Sequence, residues 1–377
     1  MMPSKQADVA IVGAGIVGLA HAYAAARRGY KVVLFERTNP AVGASIRNFG
    51  LIWPIGQPSG PLFQRALRSR EIWRAISADA GFWCAASGSL HLAYHQDEQD
   101  VLAEFMETAP EARELCALLE PADVVAKSGA ARPQGLRCAL WSPAELNVDP
   151  RQAIRAITGW LERAYGVELR FGTTVNGIAL PFIETLVERW RADWVFVSSG
   201  SDFETLYPQA FAASGITRCK LQMLRSVPQP GGWQLGPSLC AGLTLLHYGA
   251  FRHCASLAIL RARFEREMPF YREHGIHVLL SQTALGELTI GDSHAYGQTH
   301  DPFESEAINQ AILDYLASFA QAPTFAIAER WHGIYPIVPG QTELILQPEP
   351  GVTIVNGLGG AGMTLAFGLA EEILTAL

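Results

Sequence analysis

The N-terminal region constrains this chain most. A short β-branched run, Asp8-Val9-Ala10-Ile11-Val12, feeds directly into Gly13-Ala14-Gly15-Ile16-Val17-Gly18. A helix-like stretch follows to Arg28, Gly29 ends it, and Lys31 to Phe35 reads as a second strand closed by Glu36. Each part has a mechanical reason. Gly13 permits the tight turn, Gly15 lets the backbone approach a pyrophosphate, and Gly18, facing the same way as Ala22, lets the helix pack closely on the strand. The helix start, at Ile16 and Val17, supplies unpaired N–H groups to phosphate oxygens. Glu36 stands 18 residues after Gly18, with Arg37 beside it. A carboxylate there can accept both hydroxyl protons of an adenosine ribose.

The same region carries a decoy. Val9 to Ala26 is almost uncharged and apolar, it follows Lys5, and His21 lies between two alanines, as in an export signal. Asp8 before the run, the three spaced glycines within it and the acid-terminated strand after it favour a folded unit instead. No other segment reaches the roughly 18 apolar residues of a membrane span.

Composition agrees with a globular protein. With 377 residues, 49% hydrophobic and 17% charged, the chain can bury a core, and at about 150 residues per domain it suggests two or three domains. The net charge is -7, and the only lysines are Lys5, Lys31, Lys127 and Lys220. No arginine run forms a phosphate-tracking stripe, so neither nucleic acid nor an acidic membrane is expected as a partner. Six cysteines without a C-x-x-C pair or nearby histidine spacing imply no metal site and a reducing, cytoplasmic setting.

The glycine fingerprint alone does not separate NAD from FAD. Three further segments favour flavin. Gly43-Ala44-Ser45-Ile46-Arg47-Asn48-Phe49-Gly50 offers small residues and an arginine suited to wrapping a pyrophosphate and reaching the ring. Ala192 to Gly200 reads as a buried strand ending in Ser198-Ser199-Gly200, which permits close cofactor approach. Val352 to Thr364 reads as a strand, a turn (Gly357, Gly359, Gly360, Gly362) and a terminal helix beginning near Met363 and Thr364. That last stretch also contains G-x-G-x-x-G, but the chain ends too soon for a second ribose-binding acid. Its helix N-terminus, carrying about half a positive charge, suits the pyrimidine end of a reduced flavin.

Taken with these segments, nearly the whole chain resembles the FAD-dependent amine and amino-acid oxidases that include glycine oxidase, monomeric sarcosine oxidase and D-amino-acid oxidase. The resemblance implies an α/β (α+β overall) architecture. A Rossmann-like FAD-binding domain (1–80, 142–218 and 325–377) is interleaved with an antiparallel-sheet substrate domain (81–141 and 219–324). It also implies that Asn147-Val148-Asp149-Pro150 starts a helix leading to Phe171–Val175, with a backbone contact from Val175 to adenine. The substrate sheet would use 220–227, 239–248, 277–283 and 286–291. Within the family, Ser45 to Gln57, Leu221-Gln222-Met223-Leu224-Arg225 and Gly291-Asp292-Ser293-His294 resemble the glycine-oxidase-like flavoproteins of bacterial phosphonate breakdown, which act on 2-aminoethylphosphonate or its N-methyl derivative.

The departures from the family pattern are informative. Trp331-His332-Gly333-Ile334-Tyr335-Pro336 matches the Gly-x-Arg-Pro segment whose arginine clamps a substrate carboxylate, so Tyr335 replaces that arginine. Gly360 stands where glycine oxidase has a second arginine. A tetrahedral phosphonate could instead use distributed donors: Tyr335, His332, His277, Gln57, the Trp53 N–H and Arg225. Gly333 occupies the position of the cysteine that tethers flavin in sarcosine oxidase, implying non-covalent FAD. Thr289 occupies the place of its oxygen-activating lysine, which leaves O2 or another acceptor open.

The expected reaction is hydride removal from the carbon bearing the amine to flavin, followed by hydrolysis of the imine. With an aminophosphonate it yields phosphonoacetaldehyde plus ammonia or methylamine, and hydrogen peroxide if O2 is the acceptor. Oxidation of sarcosine or a glycine-like amine, and a flavin-binding accessory role, are the alternatives.

Overall fold

The computed structural model describes residues 5–375 and is built on two large sheets. The first has six strands in the order Glu168–Phe171, Val32–Glu36, Val9–Val12, Trp194–Val197, Val352–Asn356, Leu344–Glu349. All neighbours are parallel except the last pair. A parallel sheet covered on both faces needs continuous apolar strands rather than alternation. Val9, Ala10 and Ile11 are accordingly inaccessible to solvent, as are Val33 and Leu34.

The export-like run is therefore core: it supplies the strand Val9–Val12 and the helix Ile16–Arg27. Leu19, Ala20, His21 and Ala22 are all fully buried there. This helix packs against the C-terminal helix Gly362–Thr375 and against Pro150–Tyr165. Pro150 suits a helix start because its missing N–H would have no intrahelical partner. Asp149 caps that helix by accepting from the Arg151 N–H at 3.0 Å.

The second sheet has nine strands, antiparallel except where Ser238–Cys240 runs parallel to Ser89–Ala93. Its longest pairing joins Thr217–Ser226 to Ile327–Ile337 over their whole length. Ile327–Ile337, grouped by the family resemblance with the FAD-binding stretches, is thus hydrogen-bonded into the larger sheet. The expected strands 220–227, 277–283 and 286–291 occur as Thr217–Ser226, Leu279–Gln282 and Leu288–Gly291.

The expected strand over 239–248 is a correction. Only Ser238–Cys240 is extended, and Gly242–Leu246 is a 3-10 turn. The reason is the buried Glu98, which accepts from Arg263 and from the Tyr94 N–H. A Cβ on Gly242 would lie 2.3 Å from Glu98 Oε1, so the chain turns over that carboxylate on a glycine. Among the described residues, no helix is long and apolar enough to cross a membrane.

Candidate active site

Two cavities lie side by side between the sheets. The first, of about 380 Å³, runs from Glu36, Arg37 and Val175 past Gly13 and Gly15 to Ser199, Gly200 and Arg47. The second, of about 300 Å³, is walled by Asn48, Trp53, Gln57, Leu221, Met223 and the terminal turn through Thr364. They share Ile16, Ala44, Ser45, Tyr335, Leu358, Gly359 and Gly362, so the two are adjacent.

The first cavity fits a dinucleotide. Gly15 is the helix N-cap and has no side chain to satisfy the first-turn N–H groups, which leaves those after Ile16 for an anion. Gly13 has φ +103, and a Cβ there would sit 2.3 Å from the Ser198 carbonyl oxygen. On Gly18 a Cβ would sit 1.8 Å from the Gly13 oxygen, so Gly18 serves helix–strand packing and lies outside both cavities. Glu36 ends the second strand and is fixed by its neighbours. Its Oε2 accepts from the Ala14 N–H at 3.0 Å, and its Oε1 from the Thr38 N–H at 2.9 Å and hydroxyl at 2.7 Å. Ser45 Oγ accepts from the Ile16 N–H at 2.8 Å, tying the second glycine loop to the helix start. Asn48 braces that loop by donating to the Ala44 and Ser45 carbonyls, each at 3.0 Å.

The candidate substrate residues divide. Trp53, Gln57, His277 and Tyr335 all line the second cavity. Arg225 does not: its guanidinium pairs with Glu329 at 2.5 Å and approaches Glu287 at 3.7 Å, over the Trp331 ring. Leu221 and Met223 on the same strand reach the cavity, and Arg225 lies beyond its end. His332 is also outside. Strand alternation turns it to the face opposite Tyr335, where its Nδ1 lies 3.4 Å from Glu304 Oε1. Gly333 lines neither cavity; it packs on the Arg47 loop, where a Cβ would lie 3.0 Å from the Arg47 oxygen. Thr289 and the four lysines line neither cavity.

Sequence reasoning named His277 as a donor and Asp292 and His294 only within a family segment; it missed that they gather in the second cavity with His247 and Arg252. His247, His277 and His294 cluster there with Asp292, and Arg252 stands at the exposed rim. His277 and Asp292 pair across the backbone, each N–H donating to the other's carbonyl at 3.2 and 2.8 Å. Burial raises the Asp292 carboxyl to about 6, while burial and the neighbouring imidazoles push His277 well below its ordinary value. Burial, with His294 and Arg252 nearby, does the same to His247. Burial and the adjacent Cys219 hold the Tyr335 phenol protonated. One sequence signal was available: six of the ten histidines fall between residues 247 and 300.

Residues 8–376 match the family of FAD dependent oxidoreductases called DAO. The chain belongs to that family. Its cofactor is FAD. A glycine oxidase from Geobacillus kaustophilus (strain HTA426) is 31% identical over 103 residues, covering 25% of this chain and 27% of that one. One of the polypeptides of an opine oxidase from Rhizobium meliloti is 30% identical over 113 residues, which cover 27% of this chain and 30% of that one. These matches therefore span less than a third of either relative. The fold likeness extends further: the crystal structure of L-proline dehydrogenase from P. horikoshii superimposes with a TM-score of 0.79 at 20% identity, covering 99% of this chain and 94% of that one.

Proposed function

We propose that this chain oxidises the C–N bond of a small amine or amino acid that carries an anionic group. The carrying observation is the second cavity. It adjoins the proposed FAD cradle, is walled largely by apolar side chains, and has at its rim one arginine, Arg252, with no carboxylate partner among the described residues. FAD, held non-covalently in this reading because Gly333 stands in place of a tethering cysteine, supplies the capacity to accept a hydride equivalent from the carbon next to nitrogen. The chain's part is to bind, orient and exclude water. Arg252 attracts the anionic end, Gln57 and the protonated Tyr335 phenol offer further donors, and Trp53 and Leu221 hold the carbon skeleton in an apolar slot.

In this reading FAD is carried by Gly13, Gly15, Ile16, Val17, Glu36, Arg37, Ala44, Ser45, Arg47, Asn48, Val175, Ser199, Gly200, Gly359, Gly360, Gly362, Met363 and Thr364. Gly18 and Gly333 act through packing. The cradle is assembled from 1–80, 142–218 and 325–377. O2 or another acceptor reoxidises the cofactor.

The presence of Tyr335 favours a second, narrower reading. A planar carboxylate is best met by the fork of a guanidinium, and a phenol at that position suits a tetrahedral phosphonate that accepts from several single donors. The narrower substrate is 2-aminoethylphosphonate or its N-methyl derivative. Steady-state comparison of these two compounds with glycine and sarcosine, with product analysis for aldehyde and ammonia or methylamine, separates the readings. A preference for glycine or sarcosine rejects the phosphonate reading and leaves the broader one intact.

A further inference from the structure

An amine entering this site is a protonated ammonium near neutral pH and must lose a proton before its nitrogen lone pair can assist C–H cleavage. The proposed amine chemistry therefore needs an acceptor. His277 is 3% exposed and lines the second cavity, and its Nδ1 has no hydrogen-bond partner. Its Nε2 lies 3.2 Å from Asp292 Oδ1, within ion-pair range but not aligned as a hydrogen bond, so Oδ1 is also unpartnered. On the other side of the carboxylate, His294 Nε2 lies 3.8 Å from Asp292 Oδ2. His294 Nδ1 is 2.9 Å from the Gly275 carbonyl, which can only accept, so that nitrogen carries the proton and Nε2 is left with a lone pair. His277 Nδ1 and Asp292 Oδ1 are sealed behind the cavity surface, and buried polar atoms left without partners are costly, so their grouping behind one wall calls for a function.

Metal binding is disfavoured by ring orientation. The His247 and His277 rings stack at 3.9 Å with 27° between planes, His277 and His294 are 16° from parallel, and His247 and His294 are 39° apart. Imidazole lone pairs lie in the ring plane, and stacked rings do not aim them at one ion.

We propose that His277, backed by Asp292, is the proton acceptor of the substrate site: neutral His277 takes a proton from the substrate ammonium. One N–H bond of the ammonium breaks, one N–H bond forms on the imidazole, and the charge passes to an imidazolium held against the Asp292 carboxylate. His294 and the stacked His247 give that proton further places to go. The groups facing His277 from all sides are Asp292, His247, His294 and the Tyr248 phenol. Beyond them stand Tyr335 and Tyr296, which contact His294, and Arg252 beside His247. Of these, only Asp292 turns negative near neutral pH, and it lies next to His277.

This inference rests on the amine-oxidising reading, and the test keeps the two apart. Anaerobic flavin reduction is followed by stopped flow from pH 5.5 to 9.5 with the best amine, using FAD-loaded wild type, His277→Gln and Asp292→Asn. In wild type, where His277 stays neutral across this range, the second-order reduction rate is expected to rise with pH and level off once Asp292 is ionised, above about 6. In His277→Gln it should be at least about 100-fold lower at pH 7 and keep rising, about tenfold per pH unit, toward the amine's own ionisation. In Asp292→Asn that limb should disappear and the plateau should be lower, because the imidazolium loses its counter-charge. A FAD-loaded His277→Gln with a wild-type pH profile overturns the proposal, and should that variant not retain FAD, an unchanged profile in Asp292→Asn does so. Failure of every amine to reduce wild type would instead reject the amine-oxidising function itself.

Discussion

The Trp53 backbone N–H donates to Thr364 Oγ1 at 2.9 Å, and both groups are buried. This single bond ties the wall of the second cavity to the start of the C-terminal helix, across 311 residues of sequence. Thr364→Val keeps the shape and leaves the N–H unsatisfied, at a cost of about 1–3 kcal/mol. A lowered thermal midpoint of the FAD-loaded protein is expected, together with a raised KM if the Trp53 wall shifts. An unchanged midpoint would show that water replaces the hydroxyl.

Packing at the glycine fingerprint gives a sharper contrast. Gly18→Ala places a Cβ 1.8 Å from a backbone oxygen, whereas at Gly43 nothing lies within 4 Å of the corresponding position. Gly18→Ala should abolish FAD retention or folding, and Gly43→Ala should keep the yellow holoenzyme. Absorbance of the purified proteins near the flavin band checks both.

Glu36 accepts three hydrogen bonds from Ala14 and Thr38, and it lines the first cavity near Val175. Replacement by Leu removes the acceptors for the loop and, in the proposed reading, those for the ribose hydroxyls. Charge-assisted hydrogen bonds contribute about 1.5–3 kcal/mol each, so the FAD dissociation constant should rise at least about tenfold. Recovery of free-flavin fluorescence on dilution measures it.

Glu145 predicts a pH effect. It is fully buried, and its Oε1 accepts from the Ile55 N–H at 3.1 Å and its Oε2 from the Ser89 hydroxyl at 2.9 Å, bracing the turn between Trp53 and Gln57. Burial raises its carboxyl to about 7. A carboxyl raised in the folded state favours folding while protonated, and that contribution is lost as pH rises from its unfolded value through about 7. Between pH 5 and pH 8, wild type should therefore lose more stability than Glu145→Gln, as read from urea midpoints. Equal losses in the two proteins would show that Glu145 does not titrate in this window.

The legible parts of the sequence were those with local causes. The strand, glycine turn, helix and Glu36 lie within about thirty residues, and their spacing follows from close packing and phosphate access. The terminal glycine turn was readable for the same reason. The turn at Gly242 was not, because its cause is Glu98, more than a hundred residues away. Arg225 and His332 have the residue types of donors, yet their strand positions send them to Glu329 and Glu304. The Asp292 and histidine cluster has no motif spacing. It is assembled by a 3-10 turn, by the pairing of His277 with Asp292 beyond two strand ends, and by ring stacking. Such convergence is a property of the sheet register, which sequence periodicity does not encode.

Electron transfer to the FAD of this oxidoreductase from a small amine, its anionic end drawn by Arg252, is the central claim. Anaerobic titration of FAD-loaded wild type and Arg252→Gln with amines bearing or lacking a carboxylate or phosphonate tests it most directly. An anionic amine is expected to bleach the wild-type flavin, and Arg252→Gln to weaken its apparent affinity at least about tenfold, with neutral amines poor in both proteins. A flavin that no amine bleaches, or equal affinity for the anionic amine with and without Arg252, would contradict it.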